Sequence, residues 1–465
     1  MRIKFRFAIR TAGGFSKTPL ILALGLLAAC ATPPERDPAR TAHRVPARWS
    51  NPAALAGAVR PWLRAFASPE LDGLVGTALV GNFDLKAVAA RVAQARAQVR
   101  IAGAERLPQV ELAPGFQHLG LVGNGEVAGN FWELPFNLSW ELDLWGRIRS
   151  TRQAAESEAL AAGSDLEGAA LSLGARTVQA CFELAETRQQ VGVVEQSIAE
   201  RQAVVELVRG RFQLGLGSGL DLSLAATDLN DAEAQLAEAR DRQQAAARRL
   251  ETLLGRYPAA ALRHCADLPE LPAALPVGLP AELLARRPDL KAAFARLRAL
   301  DSRLDSAEKA LLPRVALTAA GGTFGTALGE LVDPRAIGWN LAMGLAQPLF
   351  TGGRLSAEID LAGAQVEEAL QLYREAALNA FREVEQALAA ERWLSEREHA
   401  LTATLARTET SRKLAIDAYR NGTVEILPLL DSYRSTLNAR SALLSARRQL
   451  LQNRVGLYLA LGGAA

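Results

Sequence analysis

The feature that most constrains this chain is that it is written twice. Asp84-Leu85-Lys86-Ala87 recurs as Asp289-Leu290-Lys291-Ala292, an offset of 205 (84 to 289). At the same offset Ala90 and Arg91 recur as Ala295 and Arg296, Leu107-Pro108 as Leu312-Pro313, Val110 as Val315 and Leu112 as Leu317. Further on the offset is 207, from Gly146-Arg147 to Gly353-Arg354. Gly215 then matches Gly422, Ala239-Arg240 matches Ala446-Arg447, and Leu254-Gly255 matches Leu461-Gly462. A near-constant offset of this kind marks a duplicated structural unit. A length of 465 residues would otherwise allow about three domains. The duplication replaces them with two copies of one unit, residues 75–270 and 281–465. Between them lies a Pro-rich linker, residues 271–280. Pro269, Pro272, Pro276 and Pro280 discourage a helix there.

Each unit reads helix, strand, strand, very long helix, helix. The strand signal is sharpest in Glu133 to Leu144. Leu134, Phe136, Leu138, Trp140, Leu142 and Leu144 share one face; Glu133, Asn137, Ser139, Glu141 and Asp143, with Pro135, share the other. Gln109 to Gln117 sets Val110, Leu112 and Phe116 opposite Gln109, Glu111 and Gln117. In the second unit Trp339, Leu341, Met343 and Leu345 alternate with Asn340, Ala342, Gly344 and Ala346. A soluble sandwich would also alternate, but the aromatics favour a membrane barrel. Phe116, Phe131, Trp132, Phe136, Trp140 and Trp145 crowd into one short stretch, and Trp339 sits on the matching strand of the second unit. Barrels concentrate such residues at the lipid interfaces. Four strands cannot close alone, because the smallest barrels need about eight. Open edges in lipid would leave backbone groups without partners. The chain is therefore expected to oligomerise, and two, three or four copies all satisfy the strand count.

Arg147 to about Phe212 contains no proline. A helix of that length extends about 100 Å at about 1.5 Å per residue. Val191, Val194, Ile198, Val205, Val208 and Phe212 fit a heptad seam, with Arg201 as the exception. After the glycines at 215, 217 and 219 the chain returns. Leu229, Ala232, Leu236, Ala239, Gln243, Ala246, Leu250 and Leu253 keep a 3-4 spacing, repeated as Thr436, Ala439, Leu443, Ala446, Leu450, Asn453, Leu457 and Ala460. Sustained heptads mean coiled-coil packing, and small alanine knobs let helices approach closely.

The amino terminus carries a separate message. Residues 1–29 hold five basic residues and no acid, followed by an apolar stretch too short to span a bilayer. Leu27-Ala28-Ala29-Cys30 fits a bacterial lipobox, with Cys30 the acylated first residue of the mature chain. Loss of the signal takes the formal charge from +3 to −2, which removes any reading as a nucleic-acid binder. Cys181 and Cys265 are expected to be separate buried thiols, although an oxidising compartment permits a disulfide. His43, His118, His264 and His399 are scattered, so no metal site is expected. No catalytic constellation is present, and no cofactor is called for beyond the lipid on Cys30. The glycines at 215, 217 and 219 follow a helix rather than a strand, which makes a phosphate loop a poor reading.

Five segments carry a resemblance to a known family. They are Trp140-Glu141-Leu142-Asp143-Leu144-Trp145-Gly146-Arg147, the run from Gly278-Leu279-Pro280 through Arg286-Arg287-Pro288-Asp289-Leu290, and Gln347-Pro348-Leu349-Phe350-Thr351-Gly352-Gly353-Arg354. The others are Ala380-Phe381-Arg382-Glu383-Val384-Glu385 and Leu457-Tyr458-Leu459-Ala460-Leu461-Gly462-Gly463. Together they resemble the outer-membrane efflux protein family, the TolC-like ducts. Within it they resemble the acylated NodT/OprM-type subgroup that serves resistance-nodulation-division efflux systems.

The resemblance implies a homotrimer with four strands per protomer in a shared twelve-stranded barrel. That barrel would continue into a periplasmic α-helical barrel. It implies a passive exit duct in the bacterial outer membrane, joined to a periplasmic adaptor and a proton-driven inner-membrane pump. It places the adaptor-docking tips at Gly215, Leu216, Gly217, Ser218, Gly422, Thr423 and Val424. It makes Asp417, Arg420, Glu425 and Asp431 the gate candidates, although Val424 stands where a carboxylate is common. Two other readings fit the same architecture: a duct for protein or peptide secretion, and a coiled-coil lipoprotein without a pore.

Overall fold

The structure, a computed structural model, describes residues 34–42, 45–50, 63–66, 68–121, 127–262, 265, 267–272, 277–278 and 280–463. The signal segment and Cys30 lie outside the described residues. After a short helix α1 (Pro38–Thr41), the first unit runs α2 (Pro69–Gly81), α3 (Phe83–Ala104), β1 (Gln109–Leu112), β2 (Gly115–Leu121), β3 (Val127–Leu142), α4 (Arg147–Gln213) and α5 (Gly219–Leu253). The second runs α6 (Pro280–Arg286), α7 (Pro288–Lys309), β4 (Arg314–Gly325), β5 (Ile337–Ala346), α8 (Arg354–Arg420) and α9 (Ile426–Ala460). Both long helices have 67 residues and both return helices have 35. Pro280, expected to discourage a helix, instead opens α6 from its first position, where a missing N–H costs nothing.

Two compact units cut across the two sequence repeats. One comprises Gly103–Thr151 and Asp301–Ala362; the other comprises Arg36–Ala102, Arg152–Leu300 and the residues from Gly363. The first holds a single antiparallel sheet in the order β1/β2, β3, β4, β5. The first strand was expected to run unbroken to Gln117. It is interrupted at Ala113-Pro114, where Pro114 has no N–H to donate. The register nonetheless continues across the break, with Leu112 opposite Phe136 and Gly115 opposite Glu133. The sheet therefore has four staves. β3 begins at Val127, earlier than Glu133, and stops at Leu142, so Leu144 belongs to no strand.

The second unit is the helical body. Its principal core gathers Leu71, Val178, Phe182, Leu184, Leu250 and Tyr458. The seam alanines Ala232, Ala239, Ala246, Ala439 and Ala446 are buried as the 3-4 spacing requires, whereas Phe212 is 46% exposed. The separate-thiol expectation is corrected here: Cys181 on α4 and Cys265 form a disulfide, with Cα atoms 5.6 Å apart. The irregular stretch after α5 is pinned at further points. Ala260, Ala261 and Leu262 donate their N–H groups to the Glu251 carboxylate at 2.8, 2.6 and 3.0 Å. Burial alone would lift the Glu251 carboxyl, but these amides, with Arg248 beyond them, hold it below the ordinary carboxylate range. Pro272 accepts from Arg454 at 2.7 Å. These anchors bring Cys265 onto α4.

Candidate functional site

The sheet has two chemically distinct faces. On one, the register lines up Leu138 with Val110, Ala319 and Leu341; Trp140 with Leu317 and Met343; and Leu142 with Val315 and Leu345. Trp339, Met343 and Leu345 on this apolar face are 80%, 74% and 72% exposed among the described residues. The opposite face carries Glu111, Glu133, Asn137, Ser139, Glu141, Thr318, Ala320, Asn340 and Ala342. Among the described residues, the outer edges of β1/β2 and β5 pair with nothing.

The aromatic cluster divides between these settings. Phe116, Trp132, Phe136, Trp140 and Trp339 stand on the apolar face, with the Phe116 and Trp132 rings 4.4 Å apart. Phe131 lies on the polar face, opposite Gln117. Trp145 lies beyond β3 and donates its Nε1–H to the Pro313 carbonyl at 2.6 Å. These two do not share the girdle expected of them.

The first family segment builds the turn from β3 into α4. Gly146 takes φ +81°, a conformation that an L side chain resists. Asp143 then accepts from the backbone N–H groups of Ile148 and Arg149 at 3.0 and 2.7 Å, capping the helix. Glu141 accepts from Arg147 at 3.0 and 3.1 Å, a bidentate pair. Three other segments converge on Arg287 in the helical unit. Its guanidinium donates to Asp289 at 3.0 and 2.6 Å, to Glu383 at 2.7 Å and to the Ala460 carbonyl at 3.2 Å. Burial alone would lift the Asp289 carboxyl, but Arg287 outweighs it and holds the group below the ordinary range. The family residues thus serve architecture rather than chemistry.

At the far end of the helical unit the chain makes two tight turns. Gly215 and Gly422 take φ +72° and +73°. The first turn ends in a capping box: Ser218 accepts from the Asp221 N–H at 3.1 Å, and Asp221 accepts from the Ser218 N–H at 3.1 Å. Leu214, Leu216 and Leu220 around it are 75%, 63% and 67% exposed. The second turn presents Asn421, Gly422 and Thr423 to solvent, with Val424 half-buried. All seven tip residues therefore lie in these two turns.

The gate candidates are brought near the second turn but not locked together. Asp417 and Arg420 pair at 4.0 Å with both side chains more than half exposed. Such a pair contributes little. Glu425 caps α9 without a side-chain bond, and Asp431 is exposed. The stronger contact was not anticipated. Arg211 on α4 donates to the carbonyls of Tyr419 at 2.8 Å and Arg420 at 3.1 Å, at the C-terminal end of α8, where the Gly422 N–H also donates to Tyr419 at 3.1 Å. It also stacks on the Tyr419 ring at 5.0 Å. Burial raises the Tyr419 hydroxyl, with Asp221 adding to the effect and Arg211 opposing it. Deeper in, Arg201, the exception in the heptad, donates to Asp228 at 2.7 Å with both side chains almost wholly buried.

A family model described as "Outer membrane efflux protein" matches residues 74–256 and 279–463. The chain belongs to the outer membrane efflux protein family. The two matched segments begin 205 residues apart (74 to 279) and end 207 apart (256 to 463), the same offsets as the sequence repeat. The pyoverdine export outer membrane protein OpmQ of Pseudomonas putida is 34% identical over 96% of each chain. Outer membrane protein OprJ of Pseudomonas aeruginosa is 32% identical over 97% of this chain and 96% of its own. The solved structure of the outer-membrane channel OprN superposes with a TM-score of 0.86 at 28% identity, covering 93% of this chain and 99% of that one. This member of the family is an outer-membrane efflux channel. No helix among its described residues is long and apolar enough to cross a membrane.

Proposed function

We propose that this efflux protein is the exit duct of a tripartite system. Three copies would contribute four staves each to one twelve-stranded barrel, with the apolar face in lipid and the polar face around water. The observation that carries this is the sheet: among the described residues it has a wide, largely exposed apolar face and two edges without partners. From Trp132 to Leu142 the apolar positions of β3 span about 34 Å along the strand. A tilt of about 40° reduces that to about 26 Å, the height of an outer-membrane apolar band. Closing the edges among copies removes the unpaired backbone that lipid forbids.

The remaining assignments follow from this reading. Residues 75–270 and 281–465 act as the two repeats of the duct, with 271–280 as the linker. The two turns dock a periplasmic adaptor, with apolar leucines on the first and small polar groups on the second. Asp417, Arg420, Glu425 and Asp431 form a charged ring at the closed end of the tunnel, coupled to the pump through the adaptor. Phe116, Trp132, Phe136, Trp140 and Trp339 anchor the barrel at the lipid interfaces.

Cys30 carries the lipid. The segment after it is strapped along α8: Tyr373 donates to the Pro38 carbonyl at 3.1 Å, and Arg374 donates to that of Thr41 at 3.3 Å. Further on, the Ser50 N–H donates to Glu385 at 2.5 Å. The strap thus leads back towards the start of α8.

The test is assembly. Unheated detergent extracts of the full chain should migrate on a denaturing gel as a trimer that heating converts to monomer. A chain that stays monomeric in mild detergent, by mass, would sink the reading.

A further inference from the structure

On the polar face of the sheet, β4 presents Ala316, Thr318, Ala320 and Gly322 in turn, and β5 presents Gly338, Asn340, Ala342 and Gly344. None of these side chains is larger than asparagine. The next polar-face position on β4 is Phe324, and β3 places Phe131 near the same end. Both rings remain open, 42% and 45% exposed. Each lies against a glycine. A Cβ on Gly338 would stand 3.3 Å from Phe324 Cδ2, and one on Gly129 would stand 3.5 Å from Phe131 Cε2. The missing side chain at each glycine leaves the space beside each ring unfilled.

A carboxylate shares this end of the polar face, with its Oε1 leaning over Gly115 of β2. Glu133 is two residues from Phe131 on the same strand and directly opposite Phe324 in the register. Among the described residues it has no cationic partner. Two half-exposed aromatic rings on the same end of the face as one negative charge suit a flat ring system that carries positive charge. Stacking and cation–π attraction supply the first part, and Coulomb attraction supplies the second.

We propose that Phe131, Glu133 and Phe324 form a stacking site for planar aromatic cations at the outer end of the duct. This rests on the reading above, in which the polar face lines the water-filled bore. Three copies set three such sites around the mouth, where the bore passes from small neutral side chains to aromatic ones. Cargo of this class would pause there on its way out, while cargo without a flat ring would not.

The test is block of single-channel current by ethidium, with the purified trimer in a planar bilayer and the dye on the side of the strand-hairpin loops. The unaltered channel should be blocked in a concentration-dependent way, and tetraethylammonium, a cation without a plane, should not block it. Phe324→Ala and Phe131→Ala should each weaken the block roughly 5–10-fold, and Glu133→Gln about 5-fold. Each variant must first show the heat-sensitive trimer. The site is overturned if the unaltered channel ignores ethidium, or if Phe131→Ala/Phe324→Ala is blocked as strongly as the unaltered channel. A folded trimer with no conductance would instead overturn the duct reading, and the site with it.

Discussion

At the scale of the residue, the most informative position is the one that breaks its own pattern. Arg201 occupies a heptad seam of valines and is buried to 3% exposure. Asp228, Ser197 and, at 3.7 Å from Asp228, Arg434 explain it. Desolvating such a pair is costly, and removing one partner leaves a charge with no compensation. Asp228→Ala should therefore lower stability by about 3–5 kcal/mol, measured by denaturant titration of the helical signal. Arg201→Leu with Asp228→Leu should recover most of that loss. If the double replacement is as damaging as the single one, the pair contributes more than mutual neutralisation. The sequence already marked Arg201 as an exception. Its partner was hidden because Asp228 sits on another helix, beside a seam that reads as unremarkable. Phe131 is different. Its odd number on β3 already grouped it with Glu133 and Asn137 rather than with Phe136 and Trp140, so composition misled where parity did not.

At the scale of the element, helices and strands were readable because each rests on a local period. Arg147 to Gln213 shows no proline and a continuous seam, and it forms one helix. Leu134 to Leu142 alternates without a fault, and it forms one strand face. The interruption at Pro114 and the disulfide were not readable, for separate reasons. Pro114 removes one ladder bond without shifting register, so the alternation on either side stays in phase. The Cys181–Cys265 bond joins positions 84 residues apart and depends on where an irregular segment folds back. That path is set by Glu251 and its three amides, a contact with no periodic signature. Cys265→Ser should lower the stability of the helical unit by about 2–4 kcal/mol, since a long loop is no longer closed in the unfolded chain. The check is thermal denaturation with and without reductant. Reductant should reproduce the loss in the unaltered chain and leave Cys265→Ser unchanged. Equal melting with and without reductant would mean that the bond adds nothing.

At the scale of the whole molecule, duplication sets the economy of the design. Two equal helical hairpins and four staves come from one unit written twice, and neither copy could close a barrel or cover its apolar face alone. The central claim is that the apolar face of the sheet meets lipid and the polar face meets water. It is tested most directly by single cysteines on adjacent positions of β4 and β5, probed with a membrane-impermeant thiol reagent. The native thiols leave this background clean, because Cys181 and Cys265 are bonded to each other and Cys30 is assigned to the lipid. Thr318 and Ala342 are partners on the polar face; Leu317 and Met343 are partners on the apolar face. Thr318→Cys and Ala342→Cys should label rapidly and lose current on labelling, whereas Leu317→Cys and Met343→Cys should do neither. Equal labelling on both faces, or labelling of the apolar pair alone, would contradict the account.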